Sequence, residues 1–513
     1  MVVIAAVIIV AALIFYIRQL RVTNAQRRTS VLRSLGVQEP HKKKLVGFFH
    51  PYCNAGGGGE RVLWTAVAFL QRTEPDVVSV VYSGDVDATK EQILAKVEAR
   101  FAISLAPGTL EFVFLDSRRY VEDSAWPRFT LLGQSVGSMY LAWEAMSKLI
   151  PDLYIDTMGY AFTFHVVAWL TGVPIGAYVH YPTISTDMLA RVQSRKKWHT
   201  NSDSISSSPI LSRGKLLYYR LFMYHYAQAL RRASFLMVNS SWTKNHVDSI
   251  IDYSDPILDA IHLPIATVAA LLSFAIHPLL PRVSLNDALR TTPRQSTIVY
   301  PPCDTREMST FALEGRERIV LSISQFRPEK DHQAQLRALA HLLREHPEYK
   351  SSSEDRVRLV LIGGSRNADD AARVESLRAL AKELGVEDHV EFAVNAPYSD
   401  MLSYLARASV GLHTMVDEHF GISVVEFMAA GLIPVAHASG GPLHDIVVPV
   451  DGQITGYHAT TPEAFATGIH AALTLPVDEE LALRRRAREW AVGRFSEREF
   501  EKGWQGCGWR TWL

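Results

Sequence analysis

The sequence predicts an α/β protein built from two doubly wound, Rossmann-like domains that face each other across a cleft. Short apolar runs of strand length alternate with helical stretches along most of the 513 residues, which is typical of parallel sheets with crossover helices. The alternation occurs twice, and each half has a glycine-rich turn after its strands, where such sheets bind ligands. The strand-like runs are LVGFFHP, VVSVVYSG, LEFVFL, LYIDT, VPIGAYVH and ASFLMVNS, then RIVLSIS, RVRLVLIGG, VEFAV, ASVGLHT and LIPVAHA.

Composition limits the classes of partner and compartment. The chain is 48% hydrophobic and 21% charged with a formal net charge of zero, which argues against nucleic acid as a partner. Its length supplies enough apolar material for two or three domains. Cys53, Cys303 and Cys507 are odd in number and far apart. They give neither a disulfide framework nor a zinc spacing, which indicates a reducing compartment.

The N-terminus predicts a membrane anchor. Residues 1–17, MVVIAAVIIVAALIFYI, carry no charge, and a basic juxtamembrane linker follows over residues 18–44. This pattern predicts an N-terminal transmembrane helix with the rest of the chain in the cytosol. A cleaved signal peptide is the alternative, although no basic residue precedes the apolar run. In the predicted orientation the sequon at Asn239 stays unmodified.

The remaining chain divides where the second series of strands begins. We expect one domain over residues 45–305, a second over 306–490 and a C-terminal tail over 491–513. Residues 253–294 form an unusual apolar insert in the first domain, or an error in gene prediction. Within it, histidines and prolines interrupt the ends of the apolar stretch 261–280. They favour a membrane-surface or buried hairpin over a second span, which would also separate the two halves across the membrane.

The first chemistry-bearing motif is NAGGGGER, which follows a strand and opens a helix. Its glycines are Gly56, Gly57, Gly58 and Gly59. Consecutive glycines let backbone amides approach an anionic or sugar ligand, and the start of the helix adds positive potential. A flexible turn is the alternative. The spacing matches neither the P-loop nor the dinucleotide-binding glycine pattern.

A second motif, SQFRPEKDH, follows the strand RIVLSIS and supplies Arg327 and Lys330. Cations at the carboxyl end of a strand face the crevice where open α/β sheets bind ligands. There they can neutralise a diphosphate and stabilise its departure. A solvated charged turn is the alternative.

The third motif is EHFGISVVEFMAAGLIPVAHASGGP, residues 418–442. Glycines predict a helix that begins near Gly421 and ends at Gly431. Its first amides, those of Gly421, Ile422 and Ser423, suit a phosphate. Glu418 precedes the helix and suits sugar hydroxyls, whereas Glu426 lies inside it and suits a ribose diol. Two unrelated solvated glutamates are the alternative.

This third motif resembles the E-x7-E segment of retaining GT-B glycosyltransferases. The FG after the first acid, the E-x-M-A-x-G and the SGGP are all in register. Over most of residues 45 to 500 the chain also resembles the dolichol-linked mannosyltransferases of asparagine-linked glycosylation. The runs that carry this resemblance are FFHPYCNAGGGGERVLW, TLLGQSVGSMYLAWEA, DTMGYAFTF, YVHYPTISTDML, VNSSWTKNH, IVYPPCD and SQFRPEKDH.

The resemblance implies a GT-B fold and a retaining transfer of mannose. The donor would be GDP-mannose, and the acceptor dolichol-diphosphate-linked Man3GlcNAc2 and then Man4GlcNAc2, with two α-1,2 linkages formed. The implied location is the cytosolic side of the endoplasmic reticulum membrane, beside other transferases of the glycosylation pathway. No cofactor or essential metal is expected, although GDVD at 84–87 has the D-x-D pattern of GT-A enzymes. A different membrane lipid as acceptor, or a non-catalytic scaffold, are the alternatives.

The resemblance also implies roles for individual residues. The first domain would bind acceptor and the second the nucleotide sugar. Glu418 would contact the transferred mannose and Glu426 the ribose, while Arg327 and Lys330 would bind the diphosphate. The glycine loop would lie against the donor phosphates and the acceptor. His180, in YVHYPT, would lie near the reacting sugar, with a core histidine as the alternative. The family usually has an arginine where Gln325 stands, which makes Arg327 the nearest cation.

Overall fold

The computed structural model describes residues 2–184, 209–262, 295–351 and 355–513. These residues form two compact units. The first comprises Met1–Asn239, Thr243–Val299 and Gly503–Leu513, and the second Ser240–Trp242 and Tyr300–Lys502. The domain limits predicted at residues 305 and 490 stay predictions. Most of the apolar insert predicted at 253–294, from residue 263 onward, lies outside the described residues.

The first unit is built on a parallel sheet. Its seven described strands are ordered β3-β2-β1-β4-β5-β6-β7. Valine- and isoleucine-rich strands of this kind are buried on both faces, and every residue of β2, β4, β5 and β6 is buried. The strands are β1 Lys44–Phe49, β2 Val77–Ser83, β3 Leu110–Phe114, β4 Leu153–Asp156, β5 Ile175–Val179, β6 Phe235–Val238 and β7 Thr297–Ile298.

Helices connect and cover these strands. They are α1 Val2–Ser34, α2 Gly58–Thr73, α3 Lys90–Phe101, α4 Thr130–Lys148, α5 Thr163–Leu170, α6 Pro209–Leu230 and α7 Ser241–Ile251. The second half of α1 is fixed to the first unit, since Asn24 donates to the Met146 carbonyl and Arg28 pairs with Asp152 at 2.7 Å. Among the described residues, no helix combines the length and apolarity needed to cross a membrane.

The second unit has a parallel sheet of six described strands, ordered β10-β9-β8-β11-β12-β13. The strands are β8 Glu317–Ile323, β9 Arg358–Gly363, β10 Val390–Val394, β11 Ala408–His413, β12 Ile433–His437 and β13 Tyr457–Ala459. The helices are α8 His332–Glu345, α9 Ala368–Glu383, α10 Tyr398–Arg407, α11 Ile422–Ala430, α12 Pro462–Leu473, α13 Val477–Phe495 and α14 Glu497–Gly506.

The structure confirms each strand predicted from an apolar run. Only β7 and β13, among the strands of the described residues, had no predicted counterpart, because they are two and three residues long. In both sheets the strand order reverses between the first and the fourth strand. Open α/β sheets bind ligands outside the carboxyl ends of the strands at this switch point. Ligand-binding residues are therefore expected at the ends of β1 and β4, and of β8 and β11.

Candidate functional site

Two side chains at the switch point of the second sheet converge on one carboxylate, that of a third residue. Lys330 follows β8, His413 ends β11, and Glu418 lies in the loop after β11. The Lys330 Nζ is 2.5 Å from the Glu418 Oε2, and the His413 Nε2 is 3.1 Å from the same oxygen. His413 is buried and Glu418 nearly so, which strengthens these contacts relative to a surface ion pair.

These contacts keep Glu418 ionised. Burial by itself raises the pKa of this carboxyl, but the hydrogen bond from His413 and the charge of Lys330 outweigh burial and hold the pKa well below its ordinary value. An ionised carboxylate accepts hydrogen bonds and does not donate a proton at neutral pH. Glu418 is therefore suited to accept from hydroxyl groups of a ligand and unsuited to act as a general acid.

The loop that carries Lys330 is held against β11 through its backbone. Thr414 donates to the carbonyl oxygens of Lys330 and Asp331, at 2.9 and 3.1 Å. Gln335, buried in α8, donates to the Thr414 hydroxyl at 3.0 Å. The Asp331 carboxylate accepts from the Ala334 amide and caps α8. This network fixes the position from which the Lys330 side chain reaches the switch point.

The E-x7-E segment forms the predicted helix, α11, which begins at Ile422 after Gly421 and ends before Gly431. The amides of Ile422 and Ser423 lie at the end of α11 where no intrahelical carbonyl is in reach. Glu426 is half-buried on α11, eight residues beyond Glu418. The structure therefore places both acids and the start of the helix in one unit.

The Gly-Gly-Pro sequence that follows has a packing reason. Gly440 has φ +60°, and a Cβ there would lie 2.1 Å from the Glu418 carbonyl oxygen. The amide of Gly441 donates to that same carbonyl at 2.8 Å. Only a residue without a side chain allows this approach, so the glycines hold the backbone of Glu418 in place.

Arg327 lies on the same loop as Lys330 but has a different partner. Its Nη1 is 3.7 Å from the Glu329 carboxylate, and its side chain is about one-third exposed. The structure brings Lys330, and not Arg327, into contact with Glu418.

The glycine loop lies at the end of β1 in the first unit. Gly58 and Gly59 form the first turn of α2, and Gly57 caps it. The Glu60 Oε2 accepts from the Gly57 amide at 2.6 Å, and the Glu60 Oε1 is 3.7 Å from the buried His50 Nε2. The carboxylate of Glu60 therefore holds the backbone of the glycine loop in place through the Gly57 amide.

His180, at the end of β5, is connected to the switch point of the first sheet. The His180 Nε2 lies 3.1 Å from the Thr157 carbonyl oxygen, and the Thr157 hydroxyl is 2.7 Å from the His50 Nδ1. The side-chain amide Nδ2 of Asn239 donates to the His180 carbonyl at 2.8 Å. A methyl group at Gly59 would lie 3.6 Å from the His180 Nε2, which places this histidine beside the glycine loop.

The D-x-D pattern has a structural role. Asp85 forms an ion pair with Arg118 and accepts from the Asn54 amide, which positions the residue that opens the glycine motif. Nowhere in the described ranges do three or more histidine, cysteine or acidic side chains form a group able to hold a metal ion.

Sequence reasoning missed His413, His50, Thr157 and Glu60. His413, His50 and Thr157 each lie at the carboxyl end of a strand or directly after one, and Glu60 lies in the first turn of α2. Their positions close to the ends of strands could have identified them as candidate site residues. The strand order, which decides which strand ends lie side by side, could not be predicted from the sequence. The residues that were predicted fall into two groups. The second unit contains Arg327, Lys330, Glu418, Glu426 and the α11 start, and the first contains the glycine loop and His180.

Comparison with known proteins adds to this geometry. Residues 43–251 match the family model described as ALG11 mannosyltransferase N-terminus, and residues 304–490 match Glycosyl transferases group 1. Relatives named "GDP-Man:Man(3)GlcNAc(2)-PP-Dol alpha-1,2-mannosyltransferase" are similar along their length. The Xenopus laevis protein is 46% identical over 90% of this chain and 86% of its own. The human protein is 44% identical, over 89% and 85%.

Solved structures show the fold. The Candida albicans trehalose-6-phosphate phosphatase N-terminal domain covers 91% of this chain and 96% of its own, with a TM-score of 0.61 and 13% identity. Anabaena Alr3699/HepE in complex with UDP and glucose covers 90% and 98%, with a TM-score of 0.54 and 14% identity. Together with the two parallel Rossmann-type sheets, these likenesses identify a GT-B-like glycosyltransferase fold.

Proposed function

This chain belongs to the family of GDP-Man:Man(3)GlcNAc(2)-PP-Dol alpha-1,2-mannosyltransferases, and we propose that it performs that family's reaction. It is a glycosyltransferase that transfers mannose from GDP-mannose to dolichol-diphosphate-linked Man3GlcNAc2 and then to the Man4GlcNAc2 product. Each transfer forms an α-1,2 linkage. The single observation that supports the position of the donor site is the convergence of Lys330 and His413 on Glu418.

In this proposal the second unit binds the donor. The diphosphate lies between the Lys330 ammonium group and the first amides of α11, where both a cation and the helix dipole favour negative charge. Glu418, ionised and held by Lys330 and His413, accepts hydrogen bonds from hydroxyl groups of the mannose. Glu426 accepts from the ribose diol. Arg327 adds positive charge farther along the same loop, with its guanidinium beside Glu329.

The proposed transfer retains the configuration at the anomeric carbon. The acceptor 2-hydroxyl oxygen forms a bond to that carbon as the bond between the carbon and the diphosphate oxygen breaks. Both events occur on one face of the sugar, and the departing phosphate oxygen takes the hydroxyl proton. Lys330 and the start of α11 stabilise the charge that develops on the diphosphate. Because Glu418 is ionised and held by two partners, it acts as an acceptor and a charge, and not as the proton donor.

The first unit binds the acceptor in this proposal. The Gly56–Gly59 loop offers backbone amides, and His180 beside it offers a ring nitrogen near the reacting hydroxyl. His50, Thr157 and Glu60 orient these two groups. We propose that no divalent metal is essential, because Lys330 and the amides of α11 supply the positive charge that a metal supplies elsewhere.

We also propose that the protein acts on the cytosolic side of the endoplasmic reticulum, with residues 1–17 as a single-pass anchor. The supporting observation is the order of the sequence, in which seventeen uncharged residues precede arginines that bind the first unit. Arg21 donates to the Thr171 carbonyl at 2.8 Å and Arg27 to the Ser147 carbonyl at 2.5 Å. A glycosylation sequon added before Val2 should be modified in microsomes while Asn239 is not, and the reverse pattern excludes this orientation.

The reaction is tested by elongation of a synthetic Man3GlcNAc2 diphosphate-lipid with GDP-mannose, followed by linkage analysis of the product. We expect two added mannoses, both α-1,2 linked, with the rate unchanged in excess EDTA. Transfer to an inositol phospholipid instead contradicts the proposed dolichol-linked acceptor. A rate that EDTA abolishes and manganese restores contradicts the metal-free mechanism. Absence of nucleotide-sugar binding would support the alternative of a non-catalytic scaffold and contradict the proposed enzyme activity.

A further inference from the structure

Helix α4 has its apolar residues on the outside. Its exposed residues are Leu132, Val136, Tyr140 and Trp143, and Phe129 immediately precedes it. These five residues, which we call the α4 strip, are between 37% and 68% exposed. Because the four helical positions recur every three or four residues, they share one face of a helix about 28 Å long.

The opposite face of α4 is buried and made largely of small residues. A Cβ at Gly137 would lie 1.9 Å from the Tyr120 carbonyl oxygen, and one at Gly133 would lie 2.3 Å from the Trp126 ring. Ser135 and Ser138 are also buried on this side. This close packing fixes the rotation of α4, so the strip cannot turn inward. A helix at the surface of a protein normally has polar residues on its exposed face and apolar residues on its buried face. An exposed apolar patch marks an interaction surface.

The strip continues onto neighbouring helices. The Trp143 indole nitrogen donates to the Tyr16 hydroxyl at 2.7 Å, which joins one end of the strip to α1. At the other end the Phe129 ring lies 5.8 Å from the Tyr218 ring on α6. Phe15, next to Tyr16, is also exposed. The apolar surface therefore connects to the helix that begins with the uncharged N-terminal segment.

We infer that the α4 strip inserts into the interfacial layer of a lipid bilayer. Tyrosine and tryptophan, which the strip combines with leucine, valine and phenylalanine, are the residues enriched at that depth. Exposed arginines border the strip and match anionic headgroups. They are Arg119, which precedes Tyr120, and Arg128, which precedes Phe129.

One of these arginines is tied to the strip through aromatic rings. The Arg119 guanidinium lies over the Tyr120 ring at 4.9 Å, and that ring meets the Tyr140 ring at 5.5 Å. The acidic residues Asp116 and Glu122 form ion pairs with Lys148 and Arg118, two cations that also pair with Glu144 and Asp85. The inference rests on the proposed function in one respect, since a lipid-linked acceptor is presented from a bilayer.

The first test places an environment-sensitive fluorophore on the full-length protein. The label is attached through Val136→Cys, with Val477→Cys as control, in a Cys507→Ser background, because Cys53 and Cys303 are buried. Val477 is 69% exposed and lies in the second unit. With vesicles of phosphatidylcholine and phosphatidylserine, the label at position 136 should shift to shorter wavelength and be quenched by spin-labelled acyl chains. The label at position 477 should do neither.

Other results would overturn the inference. Labels at 136 and 477 that respond alike to vesicles show that the strip stays in water. A label at 136 that is already in an apolar environment without vesicles shows another occupant. That occupant is a second copy if the signal depends on protein concentration, and a segment of the same chain if it does not.

The second test separates this inference from the proposed function. The double variant Leu132→Gln/Val136→Gln should transfer mannose to an acceptor embedded in these vesicles about tenfold more slowly than the Val477→Gln control, because two apolar side chains no longer seat the first unit on the bilayer. It should retain transfer to a short-chain, water-soluble acceptor. An unchanged rate with the vesicle-embedded acceptor contradicts the role of the strip, whereas a protein whose label at position 136 enters the bilayer but that never transfers mannose contradicts only the proposed function.

Discussion

At the scale of single residues, the electrostatics of the second unit centre on Glu418. Lys330 and His413 both approach its Oε2, and neither partner is adjacent to it in sequence. An ion pair of this kind orients the cation as well as the carboxylate, because removal of either leaves the other charge poorly solvated. In the proposed function, Glu418 accepts from the sugar and holds Lys330 where that cation meets the diphosphate.

The first prediction concerns this carboxylate. Glu418→Gln keeps the shape but removes the charge, and we expect kcat to fall by about 100-fold or more, the typical effect of losing one transition-state contact. Glu418→Ala should lose at least as much. Turnover with GDP-mannose is the measurement, and Glu345→Gln, an exposed substitution on α8, is the matched control. Near-normal turnover of either Glu418 variant would refute the assignment.

A second residue-scale prediction concerns acid stability. Burial, with smaller contributions from the charges of Lys330, Arg373 and His413, lowers the pKa of His332 from 6.5 to about 4. The unfolded chain therefore binds more protons than the folded chain between these two pH values. The free energy of unfolding should fall as the pH falls through this window, by up to roughly 3 kcal/mol for one such group.

The substitution that tests it is His332→Gln, with the exposed His41→Gln as control. Denaturant titrations at several pH values between 6.5 and 4 should show a shallower pH dependence for His332→Gln only. An unchanged slope would show that folding does not lower the pKa of His332. Glu418 contributes in a separate range, because its lowered pKa adds stability that is lost only at more acidic pH.

At the scale of elements, a strand and a loop meet without space for a side chain. A Cβ at Gly363, the last residue of β9, would lie 2.1 Å from the Ser324 carbonyl oxygen and 3.0 Å from the Phe326 ring. That loop leads directly to Arg327 and Lys330. The glycine at the end of β9 thus leaves room for the loop that carries Arg327 and Lys330.

The third prediction follows from this contact. Gly363→Ala should destabilise the second unit by about 1–3 kcal/mol, because the Ser324 backbone must move to admit the methyl group. GDP-mannose should also bind more weakly. Gly364→Ala is the matched control, since its methyl group would have its nearest neighbour, the Asn395 side chain, at 3.8 Å. Equal stability of the two variants in denaturant titrations contradicts the proposed packing role.

Elements of the first unit are coupled in a similar way. Glu60 on α2, His50 after β1 and Thr157 after β4 form a chain of contacts that ends at His180 after β5. Next to it, burial raises the pKa of Asp156 to about 7, although the amides of Met158 and Gly159 donate to this carboxyl. The carboxyl edge of this sheet is therefore organised by side chains from several separate turns.

At the scale of the whole molecule, the last residues of the chain pack against strands from its first half. Trp504 is fully buried, with its ring 6.2 Å from Phe48 and 6.5 Å from Tyr178. Arg510 pairs with Asp76 at 2.8 Å. Residues more than three hundred positions apart therefore share one core.

The fourth prediction tests this long-range packing. Trp504→Ala should destabilise the first unit by about 3–5 kcal/mol, the usual cost of truncating a buried aromatic residue. Arg510→Ala, which breaks a half-exposed ion pair, should cost less than about 1 kcal/mol. Hydrogen exchange should increase in β1 and β5 for Trp504→Ala and remain unchanged in the second unit. Equal protection of β1 and β5 in both variants would mean that the C-terminal residues add little to this core.

All described strands except the short β7 and β13, the limits of α11 and the class of enzyme could be predicted from the sequence. Apolar runs and glycine positions are local, and local patterns determine local structure. The E-x7-E segment shows the same thing, since the predicted helix limits hold at both ends.

The convergence of Lys330 and His413 on Glu418 depended on the tertiary structure. It arises because β8 pairs with β11, two strands separated by about ninety residues of chain. The contacts among Glu60, His50, Thr157 and His180 depend in the same way on β1 lying beside β4, and β4 beside β5. Such pairing brings together side chains that no periodicity in the sequence connects, because distances of about 3 Å between them are set by the packing of the whole sheet.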